Sequence, residues 1–136
     1  MNEEETTPIG WVPATIHEVA DTIFGQSPPS SSYNKEGNGL PFFQGKAEFG
    51  AKHPIARSWC TEPTREAEAG DILLSVRAPV GPTNVADRHC AIGRGLAAIR
   101  PFIDTEYVRF WFLRSEQVLA AKGTGTTFSA ISKGVL

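Results

Sequence analysis

The apolar residues of this chain fall into short runs that turn-forming residues separate. Between positions 55 and 101 each run is only a few residues long, and segments that contain turn-forming residues separate the runs. This spacing favours short antiparallel strands over parallel strands joined by crossover helices. The predicted strands are Ile55 to Trp59, Asp71 to Val76, Thr83 to Ala86, His89 to Ile92 and Leu96 to Arg100.

The part of the chain before position 55 predicts fewer elements. Residues 1–9 are rich in glutamate and are expected to form a disordered acidic leader. A short helix or strand is predicted through Thr15 to Phe24. Gln26 to Gly39 contains two prolines, the triple serine Ser30 to Ser32 and two glycines, which predicts an exposed loop. Leu40 to Lys46 resembles a strand, and Pro41 predicts that this strand lies at a sheet edge or begins there.

The last long element is predicted to be a helix. Asp104 is a suitable N-cap, and the helix should run to about Lys122, where Gly123 ends it. Its apolar face should pack on the sheet. We therefore predict an α+β fold with a strand-rich, mostly antiparallel twisted sheet, a C-terminal helix packed on it, and one domain over residues 10–136. The residues of the predicted apolar face are Tyr107, Phe110, Trp111, Val118 and Leu119.

Size and composition agree with one cytoplasmic domain. The chain has 136 residues, 40% of them hydrophobic, which suffices for one domain with its own core. No apolar run approaches the roughly 20 residues that cross a bilayer, so no membrane association is expected. The two cysteines, Cys60 and Cys90, predict neither a disulfide framework nor a metal knuckle, and both are expected to be reduced and buried.

The charge distribution is uneven along the chain. The net charge of −2 argues against a nucleic-acid binder that works through charge alone. However, residues 1–36 contain six acids and one base, which gives −5, so residues 37–136 carry +3. This modest excess suits a module that recognises a site while larger partners provide most of the contacts to the DNA backbone.

The sequence shows no assembled catalytic or cofactor motif. His17, His53 and His89 match no zinc spacing, and no Gly-x-Ser-x-Gly segment occurs. Gly93 to Gly95 lacks the Lys-Ser/Thr ending of a phosphate-binding loop. Ser27 to Ser30 partly matches the Pro-Pro loop of amino-methyltransferases but lacks its aromatic residue. We therefore predict a protein without catalytic activity of its own.

Polar side chains on turns and strand ends are the remaining candidates for function. The strand predicted at Asp71 to Val76 starts with residues suited to burial and leads directly into Arg77, which would place a guanidinium at the rim of the sheet. Such side chains bind phosphates or base edges, although each also fits an ordinary solvated loop residue. The candidates are Gln44, Lys46, Arg77, Asn84, Arg94, Thr124, Thr126 and Thr127.

Four segments of the chain follow one another as PFFQGK at 41–46, GDILLSVRAPVG at 70–81, IGRGLAAIR at 92–100 and GTGTTFSAIS at 123–132. Together these segments resemble the target recognition domain of type I restriction-modification specificity subunits. The likeness covers nearly everything from Gly10 onward. It implies a domain that reads one half of a split site in double-stranded DNA. Residues within such shared segments can equally maintain the common fold.

The resemblance also implies partners. A modification subunit would bind S-adenosylmethionine and a restriction subunit would bind ATP, while the recognition domain itself would need no cofactor. An intact specificity subunit has two such domains and long spacer helices, so this chain, which stops near Leu136, is expected to be a fragment or a half-subunit. Gln26 to Gly39 and Ala51 to Glu68 are expected to hold further base-reading residues. The DNA contacts that the resemblance implies are Gln44, Lys46, Arg77, Arg94, Thr124, Thr126 and Thr127.

A different class of function remains open at this point. The chain could be a protein-interaction module in which exposed aromatic residues and the segment from Thr127 to Leu136 dock a methyltransferase or another partner without reading DNA. A small hydrolase has less support, because no nucleophile and base are paired in the sequence.

Overall fold

The structure is a computed structural model, and it describes residues 20–123, with residues 117–123 described by their backbone. Over this range the chain forms nine strands and one helix. The predicted leader over residues 1–9 and the candidates Thr124, Thr126 and Thr127 lie outside the described residues. The elements are β1 (Ala20–Phe24), β2 (Tyr33–Asn34), β3 (Leu40–Phe43), β4 (Trp59–Cys60), β5 (Glu66–Ala67), β6 (Ile72–Ser75), β7 (Thr83–Val85), β8 (Cys90–Ile92), β9 (Leu96–Pro101) and α1 (Thr105–Gly123).

The strands form two sheets. A four-stranded sheet has the order β1-β9-β6-β7, and all of its pairs are antiparallel. A five-stranded sheet has the order β2-β4-β3-β8-β5, and β3 and β8 form its one parallel pair within the described range. The predicted α+β, mostly antiparallel class is confirmed. The expected single sheet is divided in two.

Strand β6 explains why two sheets are needed. Ile72 and Leu74 pack toward the helix, in a cluster that includes Phe112. Leu73 points the other way and packs with Phe43 of the five-stranded sheet. Because successive side chains of a strand alternate between its faces, a continuous apolar run requires a hydrophobic layer on each side. The molecule is therefore a stack of helix, four-stranded sheet and five-stranded sheet.

The helix begins as predicted. The Oδ1 atom of Asp104 accepts hydrogen bonds from the backbone N–H groups of Glu106 at 2.8 Å and of Tyr107 at 3.2 Å. These N–H groups have no partner inside the helix, which is why an acidic N-cap stabilises this end.

The buried face of the helix differs from the prediction. Val108 and Phe112, four residues apart, are buried against the four-stranded sheet, and Trp111 packs beside them. Phe110, which the sequence placed on the buried face, is 57% exposed, and Tyr107 is also exposed. Helical periodicity alone does not distinguish these faces, because aromatic residues occur on both. The predicted contacts of Val118 and Leu119 lie outside the described side chains.

Strand β3 decides between the two positions predicted for Pro41, because the proline is the second residue of the strand and therefore lies at its beginning. Pro41 lies in a strand with neighbours on both sides, and not at an edge. The strand pairs with β4 through Leu40 and Pro41, and with β8 only from Phe42 onward. The N–H of Phe42 donates to Ser58 next to β4, so the nitrogen of Pro41 points to the opposite side, before the β8 ladder begins. The proline therefore interrupts no ladder hydrogen bond.

Two predicted segments contain different structure than expected. Gln26 to Gly39 is not entirely a loop, because it includes β2 and the 3-10 turn Ser30–Ser32. Ile55 to Trp59 becomes a strand only at its end, where β4 begins. No helix in the described part of the chain is long and apolar enough to span a membrane.

Candidate functional site

Strand ends from both sheets meet at one end of the molecule. Strands β3 and β8 are parallel, and their last residues, Phe43 and Ile92, are paired. Strands β1 and β6 are both antiparallel to β9, so their last residues, Phe24 and Ser75, lie beside the start of β9. Residues that follow these four strands are therefore brought to a common edge.

The turn Gly93–Gly95, between β8 and β9, lies at the centre of this edge. The N–H of Gly93 donates to the carbonyl oxygen of Phe43 at 2.8 Å, and that of Gly95 donates to Gln44 at 3.0 Å. The carbonyl oxygen of Gly95 accepts the N–H of Val76 at 2.9 Å. The turn thus connects the ends of β3 and β6 through the main chain.

Glycine is required where these segments cross. A Cβ atom on Gly25 would lie 2.0 Å from the carbonyl oxygen of Gly93, and one on Gly95 would lie 2.6 Å from that of Gln44. Both distances are far below van der Waals contact, so a side chain would force the segments apart. These glycines allow the loops to approach one another closely.

Gln44 and Lys46 follow β3 and are exposed at this edge. The N–H groups of Gln44 and Gly45 both donate to Oε1 of Glu48, at 2.7 and 3.1 Å, across the 3-10 turn Lys46–Glu48. The carboxylate of Glu48 is thus held against main-chain donors, which fixes the loop that carries Gln44 and Lys46. Arg94 is exposed on the neighbouring turn.

Arg77 is positioned by contacts on both sides. The buried hydroxyl of Ser75 lies 2.6 Å from the carbonyl oxygen of Pro79 and 3.1 Å from that of Arg77, so it closes the loop after β6. The Nε atom of Arg77 donates to the carbonyl oxygen of Arg94 at 3.2 Å. The two terminal amino groups of the Arg77 guanidinium have no partner among residues 20–123. They are available to a ligand.

Two arginines that the sequence did not single out individually also lie at this edge. Arg57 precedes Ser58, whose carbonyl oxygen accepts the N–H of Phe42 in β3 at 2.9 Å. The carbonyl oxygen of Arg65 accepts the N–H of Ile92 in β8 at 3.1 Å. Both side chains are exposed. Their only sequence signal is a positive charge near a strand too short for a recognisable period.

Lys35 extends the same edge on its outer side. It follows β2, and its Nζ atom donates to the hydroxyl of Ser58 at 2.8 Å. We call the set of polar side chains collected here the rim. The rim comprises Lys35, Gln44, Lys46, Arg57, Arg65, Arg77 and Arg94.

Most of the lysines and arginines outside the rim are paired with a carboxylate, whereas those of the rim are not, and Arg114 of the helix is the exception among the described side chains. Within the described residues, no rim side chain forms an ion pair with a carboxylate. Four cations outside the rim do so, with N to O distances of 3.9, 3.3, 2.8 and 3.9 Å. The rim therefore carries six positively charged side chains without a carboxylate partner, although the carboxylates of Glu36 and Glu48 lie on the same loops, where they accept main-chain N–H groups. The paired cations are Lys52, Arg88, Arg100 and Arg109.

Asn84 is placed apart from the other candidates. It is only 4% exposed. Its Oδ1 accepts the N–H of Gly50 at 2.8 Å, and its Nδ2 lies 3.2 Å from the carbonyl oxygen of Gly50 and 2.8 Å from that of Thr83. The side chain thus fastens the loop around Gly50 to β7. It has no free polar group to offer a base edge, and we do not include it in the rim.

Other reactive groups in the described range are not assembled for chemistry. No group of three or more His, Cys, Asp or Glu residues there could hold a metal ion. Cys60 and Cys90 are buried and unbridged, as predicted. Burial raises the pKa of the Cys90 thiol to about 12, and the charges of Asp71 and Asp87 act in the same direction. A thiol held neutral in this way is a poor nucleophile.

Comparison with known proteins places this geometry in context. No family model matches the chain. The chain is 46% identical over 114 residues to a Methanocaldococcus jannaschii protein described as the specificity subunit of the type I restriction enzyme MjaX. This match covers 82% of the chain and 27% of the relative.

Solved structures show the same relationship. The HsdS subunit from Thermoanaerobacter tengcongensis is 54% identical to this chain with a TM-score of 0.80, and the match covers 84% of this chain and 30% of that chain. A chain from the assembled type I R-M system gives the same values. The type I S subunit from M. genitalium shares the fold at a TM-score of 0.60 and 15% identity. The chain thus spans less than a third of the length of these relatives.

Proposed function

The chain belongs to the specificity subunits of type I restriction-modification systems, of which it matches a single domain, and we propose that this domain recognises double-stranded DNA through the rim. It would read one half of a split site. The domain would contribute no catalytic group. Methylation would belong to a modification subunit, and ATP-dependent cleavage to a restriction subunit.

The pairing of the cations is the observation that carries this proposal. A guanidinium or ammonium group that lacks a carboxylate partner binds phosphate oxygens or the O6 and N7 atoms of guanine. The rim holds six such groups on segments that main-chain hydrogen bonds fix, and Gln44 lies among them with an amide suited to adenine. The opposite end of the four-stranded sheet carries the neutralised pair Asp71 and Arg100. DNA would therefore be attracted to one end of the molecule.

Selection of duplexes from a random library tests the proposal. The full chain, alone and with a modification subunit, should enrich one half-site. Replacement of Arg77 by glutamine should weaken binding to that duplex by roughly 1 to 3 kcal/mol, because one bidentate contact is lost. Arg88→Gln is the matched control, since Arg88 pairs with Asp87 away from the rim and should leave affinity unchanged. A chain that enriches no sequence under either condition would contradict DNA recognition.

An exposed apolar surface favours a second, protein-docking function. Phe102 is 62% exposed just before α1, and Phe110 and Leu113 are exposed on the helix itself. Such side chains are common in interfaces with other proteins. Binding of a modification subunit in the absence of DNA, and its loss in Phe110→Asp with DNA binding retained, would support this function. If Phe110→Asp binds the subunit normally, this surface is not the interface.

A further inference from the structure

The two rim arginines of the five-stranded sheet flank its central strands. Strands β3 and β8 lie in the middle, with β4 on one side and β5 on the other. Arg57 directly precedes the residue that bonds to β3, and Arg65 bonds to β8 through its own carbonyl oxygen. The loops that carry Gln44 and Arg94 follow β3 and β8, so these loops lie between the two arginines.

The spacing of the strands sets the distance between these arginines. Neighbouring strands are about 4.8 Å apart, so three spacings place their main chains about 14 Å from one another. The major groove of B-DNA is about 12 Å wide and admits an element of two strands. The arginine side chains are long and flexible enough to make up the difference of about 2 Å between the separation of the main chains and the width of the groove.

We propose that Arg57 and Arg65 form a phosphate clamp, in which each contacts one of the two DNA backbones that border a single major groove. The loops after β3 and β8 then project into the groove between them and present Gln44 and Arg94 to the base edges. This inference rests on the proposed function and assigns its contacts to particular residues.

The local contacts of both arginines support this role. Their main chains are fixed by ladder hydrogen bonds of 2.9 Å at Ser58 and 3.1 Å at Arg65. Their side chains are exposed and form no hydrogen bond or ion pair with other residues in the range 20–123. An arginine whose main chain is fixed and whose guanidinium has no partner is suited to bind a phosphate, which accepts hydrogen bonds from many directions.

The salt dependence of binding tests the clamp. In the full chain, the double variant Arg57→Gln with Arg65→Gln should bind the selected duplex and a scrambled duplex more weakly by a similar factor. The slope of log K against log salt should fall in magnitude by about two, because two phosphate contacts are lost. Arg88→Gln should leave the slope unchanged. Thermal melting shows whether each variant is folded. Because the substituted side chains are exposed, the melting temperature should not fall.

Neutral methylphosphonate linkages show which backbone each arginine contacts. The wild-type chain is compared with the two single variants Arg57→Gln and Arg65→Gln. Neutral linkages on one strand beside the groove should weaken binding by the wild-type chain and by the variant that keeps the arginine facing that strand. They should not weaken binding by the variant that lacks this arginine. On the opposite strand, the two variants should exchange behaviour. Sensitivity of both variants on the same strand, or an unchanged salt slope in the double variant, would overturn the clamp and leave DNA recognition standing. A wild-type chain that binds no duplex would overturn both.

Discussion

The guanidinium of Arg100 donates two hydrogen bonds to the carboxylate of Asp71, from Nε to Oδ1 at 2.9 Å and from Nη2 to Oδ2 at 2.8 Å. Asp71 is 3% exposed at the start of β6, and Arg100 lies near the end of the neighbouring strand β9. The Oδ2 atom of Asp71 also accepts the N–H of Glu68 at 2.8 Å. Because Arg100 donates these hydrogen bonds to the Asp71 carboxylate, the pKa of Arg100 is raised above its ordinary value. This pair therefore joins two central strands and the loop before them.

Removal of the Asp71 carboxylate should destabilise the fold. Asp71→Ala leaves Arg100 unpaired and deprives the N–H of Glu68 of its acceptor, so the free energy of unfolding should fall by about 2 kcal/mol. Chemical denaturation followed by tryptophan fluorescence measures this change. Asp87→Ala provides the control, because its pair with Arg88 is exposed and should contribute less than about 0.5 kcal/mol. Equal losses in the two variants would contradict the structural role of Asp71.

Asn84 should affect stability without a direct contribution to DNA binding. Asn84→Ala removes the contacts to Gly50 and Thr83 and leaves partly buried main-chain groups without these partners, at a cost of about 1 to 3 kcal/mol. Measured on folded protein below its melting temperature, the affinity for the selected duplex should remain within about twofold of the wild type, since the side chain is buried. A large loss of affinity in a variant with unchanged melting would show instead that Asn84 contacts DNA.

The difference between Arg77 and Asn84 shows how far sequence reasoning could reach. Arg77 follows a continuous apolar strand, and such a strand must end where the sheet meets solvent, so its exposure was predictable. Asn84 belongs to a short strand of mixed polarity, and only the partner loop around Gly50 determines that it faces inward. The strand propensity of a residue gives no information about a hydrogen-bond partner that lies far away in the sequence.

The same limit applies to Arg57 and Arg65. Their positions depend on β4 and β5, which have two residues each and therefore show no periodicity. The sequence predicted the surrounding loop as a source of base-reading residues, and it could not show which of these side chains reach the rim. By contrast, β6, β8, β9 and the Asp104 cap were predicted because each has a strong local signal.

Cys90 should make stability depend on alkaline pH. Its thiol has an ordinary pKa of 9.0 and a pKa of about 12 in the folded state. The folded pKa is the higher one, so its contribution to stability is complete below pH 9 and is lost as the pH rises toward 12. The free energy of unfolding should therefore fall more steeply in the wild type than in Cys90→Ala between about pH 8 and about pH 10.5. Parallel curves would show that the thiol ionises equally in both states.

Gly25 should not tolerate a side chain, whereas Gly45 should accept one. Gly25→Ala places a Cβ atom 2.0 Å from the carbonyl oxygen of Gly93 and should separate β1 from the central turn. We expect both a lower melting temperature and weaker DNA binding. In the matched variant Gly45→Ala, the nearest atom to the new Cβ is the Cα of Gly95 at 3.7 Å, an ordinary contact, so stability should change by less than about 1 kcal/mol. Equal melting temperatures of the two variants would contradict the close approach of Gly25 to the turn Gly93–Gly95.

Ser75 should influence DNA binding through Arg77. Its buried hydroxyl contacts the carbonyl oxygens of Arg77 and Pro79, so Ser75→Ala should loosen the loop and weaken the affinity for the selected duplex. A double-mutant cycle separates this positioning effect from a general loss of stability. Once Arg77→Gln has removed the guanidinium, Ser75→Ala should cost little further affinity, with a coupling energy of about 0.5 kcal/mol or more. If the losses of binding free energy in the two single variants simply add in the double variant, Ser75 stabilises the fold without positioning Arg77. A general loss of stability does not depend on which side chain stands at position 77.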